Sequence, residues 1–177
     1  MISEETLLEG LVLIHPKIFY DDRGFFLESF HKARFLELGV NVDFVQDNHS
    51  FSCKGTLRGM HFQSSPGQAK LVSVTQGKIF DVVVDIRKES PTYMQWQSFI
   101  LDDVDKAQLF IPNGFAHGFC VLSENAHVQY KVSQFYNPDT EKGFHYKDDQ
   151  IGIQWPELDE ITLSNRDINA PSFREVL

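Results

Sequence analysis

The chain has few cysteines, little positive charge and no long apolar runs, and each shortage argues against a class of protein. Only Cys53 and Cys120 are present, without metal-type spacing, so we expect no disulfide framework. A net charge of −9 without a dense basic run argues against general nucleic-acid binding. No apolar run approaches the length of a membrane span, and the acidic start MISEETLLEG is unlike a basic secretion signal. We therefore expect a cytoplasmic protein without a membrane or nucleic-acid partner.

Phenylalanine is abundant instead, with 16 residues in a chain of 177, which suits the packed faces of β-sheets. The chain is long enough for one sizeable core, so residues 1–177 are expected to form a single domain. Short β-rich segments separated by turn residues dominate. This pattern favours an all-β sandwich or barrel, and a jelly roll is the first choice.

Three segments carry specific secondary-structure predictions. Residues 70–86, KLVSVTQGKIFDVVVDI, contain two β-branched runs around a turn at Gln76-Gly77. Residues 127–136, HVQYKVSQFY, alternate apolar and polar side chains as a half-buried strand does. The stretch SFHKARFLELG predicts one short helix, with Ser29 as its N-cap and Gly39 as its end.

The stretch GTLRGMHFQ, residues 55–63, resembles part of the metal-binding frame of the cupin superfamily. His61 and, in PNGFAH, His117 occupy two histidine positions of that frame. Gln63 stands at the position of the second histidine, and Lys70 at the position of a glutamate ligand. Because an ammonium repels a divalent cation and offers it no lone pair, the pattern argues against a catalytic metal.

The same substitutions suit proton transfer on an anionic substrate. His61 is the side chain best matched to accepting a proton at neutral pH, provided that a carboxylate orients its ring. Lys70 would stabilise negative charge on a nearby substrate oxygen. Arg58 would point away from His61 on a regular strand, so a bulge at Gly59 would be needed to bring both into one pocket. Taken singly, however, a histidine in such a chain is more often structural.

Other polar motifs also have two interpretations. DDRGFF (21–26) is a turn, or presents Arg23 to a phosphate. QDNHS (46–50) is an Asx-type turn, or offers amide groups to a ligand. Tyr130 is a core aromatic, or a phenolic acid. SNRDINAP (164–171) is an exposed loop, or the source of the carboxylate that a histidine base needs.

Taken together and in order, several blocks resemble the dTDP-4-dehydrorhamnose 3,5-epimerase family over nearly the whole chain. They are DDRGFFLESF, QDNHSFSCKGTLRGMHFQ, KLVSVTQGKIFDVVVDIRKESPT, PNGFAHGFCVLS, YKVSQFYNPDTEKG, IGIQWP and SNRDINAP. The resemblance implies a cupin jelly roll with a few short helices, usually a homodimer. It also implies inversion of two carbons of a dTDP-linked 4-keto-6-deoxy sugar, in dTDP-L-rhamnose biosynthesis, without a metal or another cofactor.

The resemblance also implies roles for individual residues. His61 would be the general base, Asp167 its orienting carboxylate and Tyr130 the general acid, with Lys70 near the sugar. Tyr136 would stack on the thymine, and Arg166 replaces a lysine that is common in the family. Nine residues match substrate-binding positions: Arg23, Glu28, Gln46, Asn48, Arg58, His117, Tyr136, Glu141 and Arg166.

Three alternatives remain open at the level of sequence. The first is an epimerase that inverts one centre of another nucleotide-linked 4-keto sugar. The second is a metal-dependent cupin enzyme, and the third is a non-catalytic sensor of sugar nucleotides. Counting the carbons that exchange protons with solvent separates the first from a double epimerase.

Overall fold

The structure is a computed structural model that describes residues 1–177 as thirteen short strands and three short helices. The strands are β1 (Ile2–Glu5), β2 (Val12–His15), β3 (Ile18–Asp21), β4 (Gly24–Leu27), β5 (Gln46–Cys53), β6 (Leu57–Gln63), β7 (Lys70–Gln76), β8 (Lys78–Asp85), β9 (Trp96–Asp102), β10 (Gln108–Ile111), β11 (Phe115–Val121), β12 (Asn125–Val132) and β13 (Glu141–Gly143). The helices are α1 (Lys32–Glu37), α2 (Asn165–Ile168) and α3 (Phe173–Val176). None of them is long and apolar enough to cross a membrane.

Two antiparallel sheets form the body of the protein. One has six strands in the order β1-β2-β10-β7-β12-β5, and the other has five in the order β13-β6-β11-β8-β9. Their facing sides share one apolar cluster, to which Val72 and Leu109 belong on the first sheet and Val83 and Phe119 on the second. The prediction of an all-β, cupin-like jelly roll with a few short helices is confirmed.

The outer faces of both sheets are also covered. On the six-stranded sheet, Phe35 of α1 is fully buried against Ile14 and Phe110. On the five-stranded sheet, the C-terminal third packs side chains such as Phe144 and Phe173. This third also contains α2, so the segment that covers the five-stranded sheet also positions residues of the cavity described below.

Three local predictions can be compared with the structure. The strands around Gly77 form as predicted, but they belong to different sheets, so Gly77 joins the two layers. The strand in residues 127–136 ends at Val132. The short helix exists and is followed by Gly39 at φ +93°, but the predicted N-cap Ser29 is wrong. His31 is the N-cap, since its side chain accepts from the N–H of Arg34.

Candidate active site

A cavity of about 630 Å³ lies between the two sheets at the end where α2 packs. Its walls come from β5, β6, β7, β11 and β12, and residues 162–167 close one side. Seven of the residues predicted from the sequence line this cavity: Arg58, His61, Lys70, His117, Tyr130, Arg166 and Asp167.

A bulge in β6 brings Arg58 and His61 to the same cavity. His61 pairs with His117 and Arg58 with Phe119, so three steps along β6 match two along β11. Gly59, inside the bulge, has φ +133°, and a Cβ there would lie 2.6 Å from the neighbouring backbone. A residue with a side chain would be both strained and crowded at this position. The predicted role of Gly59 is confirmed.

His61 is held by Asp167, although 106 residues separate them in the chain. His61 Nε2 lies 2.6 Å from Asp167 Oδ1, and Asp167 is only 3% exposed. Helix α2 places Asp167, and Ser164 caps this helix by accepting from the Asp167 N–H at 3.1 Å. Burial acts to raise the pKa of Asp167, but hydrogen bonds from His61 and the Gly59 N–H hold this pKa below its ordinary value. An ionised aspartate therefore orients the imidazole.

A second histidine–aspartate pair lies deeper in the cavity wall. His117 Nε2 is 2.8 Å from Asp81 Oδ2, and both residues are buried. Asp81 was not among the predicted residues, although the sequence contains a signal for it. Asp81 occupies an inward position of β8 between the core residues Ile79 and Val83, where an unpaired carboxylate would be costly.

Burial shifts the pKa values of two further cavity residues. Burial lowers the pKa of Lys70 to about 8, while the charges of Asp81 and Glu141 oppose the shift. Burial raises the pKa of Tyr130, against the opposing charge of Arg58. At neutral pH, Lys70 is therefore mostly an ammonium and Tyr130 is a neutral phenol that can donate a proton.

The guanidinium of Arg58 is held from the side by β5. Its Nε donates to Ser52 Oγ at 3.0 Å, and its Nη2 donates to the Phe51 carbonyl at 3.4 Å. Ser52 is 5% exposed, so its hydroxyl is a fixed acceptor. These contacts orient the cation at the cavity wall.

A chain of hydrogen bonds runs from β5 to α2 beside the cavity. Gln46 donates to Asn48 at 2.8 Å and accepts from the Tyr136 N–H at 3.1 Å. The hydroxyl of Tyr136 donates to Glu141 at 2.8 Å, and Arg166 donates to the same Glu141 oxygen at 2.5 Å. Five of the predicted binding residues thus form one continuous network, and Arg166 connects this network to the cavity.

Two predicted binding residues belong neither to the cavity wall nor to this network within one chain. Arg23 lies in the exposed turn between β3 and β4, where it pairs with Asp21 at 2.5 Å. Glu28 pairs with Arg34 of α1 at 2.8 Å.

The donor set around His61 differs from a typical metal site. Nowhere in the chain do three or more His, Cys, Asp or Glu side chains converge as they would around a metal ion. Gln63 accepts a hydrogen bond from Thr140, and the two cavity histidines each pair with an aspartate.

The two groups suited to proton transfer stand on opposite walls. His61 belongs to β6 of the five-stranded sheet, whereas Tyr130 belongs to β12 of the six-stranded sheet. A molecule bound between the sheets would present one face to a base and the other to an acid. Lys70, on β7, adds a cation that can stabilise charge developing between them.

Comparisons with known proteins point to one enzyme family. The family model described as dTDP-4-dehydrorhamnose 3,5-epimerase matches residues 5–175. The enzyme of that name from Salmonella typhimurium is 48% identical over 179 residues, covering 100% of this chain and 98% of its own. The one from Methanothermobacter thermautotrophicus is 46% identical over 173 residues, covering 97% of this chain and 94% of its own.

A solved structure is similar over the same range. It is the dTDP-6-deoxy-D-glucose-3,5-epimerase of Legionella pneumophila in complex with dTDP-4-keto-L-rhamnose, with a TM-score of 0.94 and 48% identity. The match covers 97% of this chain and 92% of that one. The chain therefore belongs to the dTDP-4-dehydrorhamnose 3,5-epimerase family.

Proposed function

We propose that this protein inverts carbons 3 and 5 of a dTDP-linked 4-keto-6-deoxyhexose, the isomerase step of dTDP-L-rhamnose formation. The observation that carries the proposal is the placement of the His61–Asp167 pair and Tyr130 on opposite walls of one cavity. Epimerisation removes a proton from one face of a carbon and returns a proton to the other face, so a base and an acid must flank the ring.

In the proposed mechanism, the Nδ1 atom of His61 accepts the proton. Asp167 is paired with Nε2 and favours the imidazolium that forms. Carbons beside a ketone are acidic because the resulting carbanion delocalises onto oxygen as an enolate. Lys70 stabilises the enolate oxygen in the cavity, where charge is poorly screened. Tyr130 then donates a proton from the opposite face. Proton exchange with water returns His61 to the neutral imidazole and Tyr130 to the phenol, and the cycle then repeats at the other flanking carbon.

The anionic part of the substrate accounts for the cations of this acidic protein. Arg58 is oriented beside the cavity and suits a diphosphate oxygen. Tyr136 is 54% exposed and stands beside Arg166 through their shared partner Glu141, which supports the role of Tyr136 in stacking on the thymine.

We also propose a homodimer in which Arg23 and Glu28 serve the neighbouring chain's cavity. The β3–β4 hairpin supports this, because it exposes a set of large side chains that a monomer would leave in water: Phe19, Tyr20, Phe25 and Phe26. In this proposal, residues 1–177 act as one domain in the cytoplasm and bind a small-molecule nucleotide sugar. Light scattering, and an increase in KM for Arg23→Ala, would test the shared site.

The function is tested by incubating the purified protein with dTDP-4-keto-6-deoxyglucose in deuterated water. We expect deuterium at carbons 3 and 5 and a product inverted at both. Exchange at one carbon would indicate a single-centre epimerase. Tight binding with no exchange would indicate a sensor, and activity that is lost on chelation and restored by a stoichiometric metal would indicate a metal-dependent cupin.

A further inference from the structure

Asp81 is a buried carboxylate to which the mechanism above assigns no role. It is 0% exposed, and its one hydrogen-bond partner is His117, whose Nε2 lies 2.8 Å from Oδ2. The other oxygen, Oδ1, is inaccessible to solvent and has no hydrogen-bond partner in the protein. Asp167, by comparison, receives a hydrogen bond from a backbone N–H as well as from its histidine. A buried carboxylate with so few partners is costly unless nearby positive charge compensates it.

Lys70 is a cation on the opposite sheet that points into the same space. Along β8, Asp81 alternates with Ile79 and Val83, which belong to the apolar cluster between the sheets. Along β7, Lys70 alternates with Val72 of the same cluster. Side chains alternate between the two faces of a strand, so Asp81 and Lys70 both point between the sheets. They therefore carry opposite charges into one space from opposite walls.

Negative charge near Lys70 offsets the loss of hydration that its position causes. Burial lowers the pKa of Lys70 to about 8, and the charges of Asp81 and Glu141 act in the opposite direction. Asp81 is fully buried, so its field is weakly screened. The side chain of Glu141 is 18% exposed and is already paired with Arg166. Asp81 is thus the carboxylate best placed to act on the ammonium.

We propose that Asp81 is a positioning residue that keeps Lys70 positively charged at neutral pH through the field of its buried carboxylate. The proposed mechanism needs an ammonium at the enolate oxygen, because a neutral amine does not stabilise developing negative charge in the same way. Asp81 acts through Lys70, since His117 lines the cavity and Asp81 does not. This proposal rests on the proposed function, because it takes Lys70 to stabilise an enolate.

Other ionisable groups also surround Lys70, so the test must separate their effects from that of Asp81. They come from every element around the cavity: Cys53 on β5, Arg58 and His61 on β6, His117 on β11, Tyr130 on β12, Glu141 on β13, and Arg166 and Asp167 on α2. Two of them are carboxylates, Glu141 and Asp167, and each is held by more than one hydrogen bond. Asp81 differs from both in its unpaired oxygen.

Asp81→Asn tests the charge alone, because the amide has the same shape and its oxygen can still accept a hydrogen bond from His117. Removing the charge should move the alkaline limb of kcat/KM about one pH unit lower. The ratio of kcat/KM at pH 8 to that at pH 6 should then fall about fivefold relative to wild type. Asp81→Ser, which also lacks the carboxylate and adds no bulk, should show the same shift.

Asp85→Asn is the matched control. Asp85 is also fully buried on β8, but its carboxylate pairs with Arg87 at 2.7 Å. Replacing it removes a buried negative charge from the same strand without removing one that acts on Lys70. The alkaline limb of this variant should therefore stay near pH 8.

The experiment compares wild type with these three variants in two measurements. One is the pH profile of kcat/KM on dTDP-4-keto-6-deoxyglucose. The other, without substrate, is the pH dependence of trace acetylation of Lys70 by acetic anhydride, read by mass spectrometry. Only the neutral amine reacts, so the midpoint of labelling reports the charge of Lys70 directly. We expect both the midpoint and the limb to move to lower pH in the two Asp81 variants and to stay in Asp85→Asn.

A labelling midpoint that stays at its wild-type value in both Asp81 variants would overturn the proposal. An equal shift in Asp85→Asn would overturn it too, because the effect would then be general to buried charge on β8. Absence of turnover by the wild type would refute the proposed function. The labelling midpoints would still decide the role of Asp81.

Discussion

The pKa of Lys70 leads to a quantitative prediction for the alkaline side of the pH–rate profile. Burial lowers the pKa to about 8, while the charges of Asp81 and Glu141 limit the shift. With that value, Lys70 is about nine-tenths protonated at pH 7 and about one-tenth protonated at pH 9. If the ammonium stabilises the enolate, kcat/KM should fall about tenfold between these two pH values, because kcat/KM reports ionisations of the free enzyme.

Tyr130 does not produce this limb, because burial raises its pKa above its ordinary value of 10.0. The assay is kcat/KM on dTDP-4-keto-6-deoxyglucose from pH 6 to 10 for wild type, Lys70→Arg and Lys70→Met. Lys70→Arg stays charged throughout and should lose the limb near pH 8, at a lower overall rate because its geometry differs. Lys70→Met should be slow at every pH.

Two results would refute this reasoning. A wild-type profile that stays flat to pH 9 would show that the charge of Lys70 does not act in the rate-determining complex. A limb near pH 8 that persists in Lys70→Arg would assign the ionisation to another group.

Four further substitutions have distinct expected outcomes. Asp167→Asn should reduce kcat about 10- to 100-fold without unfolding the protein, because a hydrogen bond to a charged group is worth about 1.5–3 kcal/mol. An unchanged kcat would contradict the functional pairing of Asp167 with His61. Gly24→Ala should lower the free energy of unfolding by about 1–3 kcal/mol, because Gly24 has a positive φ. Gly59→Ala should lower it by more and should also reduce activity, because a side chain at Gly59 would be crowded as well as strained. Equal losses of stability in the two variants would refute the role of crowding. Asp85 is fully buried, and its hydrogen bonds outweigh the effect of burial and lower its pKa to about 2. The ionised Asp85 therefore stabilises the fold above pH about 4, and this stabilisation is lost as the pH falls toward 2. In urea unfolding, Asp85→Asn should cost about 2 kcal/mol of stability at pH 7 and little at pH 2. A cost that does not change with pH would contradict this prediction.

The strands were predictable where local patterning determines them. Val128 and Val132 are buried and Gln129 is exposed, as their alternation predicts. The sequence could not show whether the strands on either side of Gly77 pair with each other or belong to different sheets, because a turn glycine occurs equally in a hairpin and in a crossing between sheets. Its assignment depends on which distant strands pair with each side, and local residues do not encode that choice.

The start of α1 shows a tertiary effect that overrides a local preference. Serine is a common N-cap, but the carbonyl of Ser29 accepts from Gln108 Nε2 at 3.1 Å, which holds this residue against β10. The chain turns into the helix two residues later, at His31.

The active site was predictable only in part from residue chemistry. The substitutions Gln63 and Lys70 indicated proton transfer, and Gly59 indicated a bulge. The partner of His61 lies 106 residues away, so Asp167 came from family resemblance rather than from spacing. The partner of Asp81 could not be read from the sequence, because the register pairs Asp81 with Phe119 and brings His117, two residues along β11, to the same face.

The central claim is that His61 removes the proton and that Tyr130 delivers one to the opposite face. The most direct measurement compares solvent deuterium uptake with inversion for wild type, His61→Asn and Tyr130→Phe, using dTDP-4-keto-6-deoxyglucose in deuterated water. We expect His61→Asn to lose both, whereas Tyr130→Phe should lose inversion more than uptake. Uptake at the wild-type rate in His61→Asn would contradict the role of His61 as the base, and full inversion in Tyr130→Phe would contradict the role of Tyr130 as the acid.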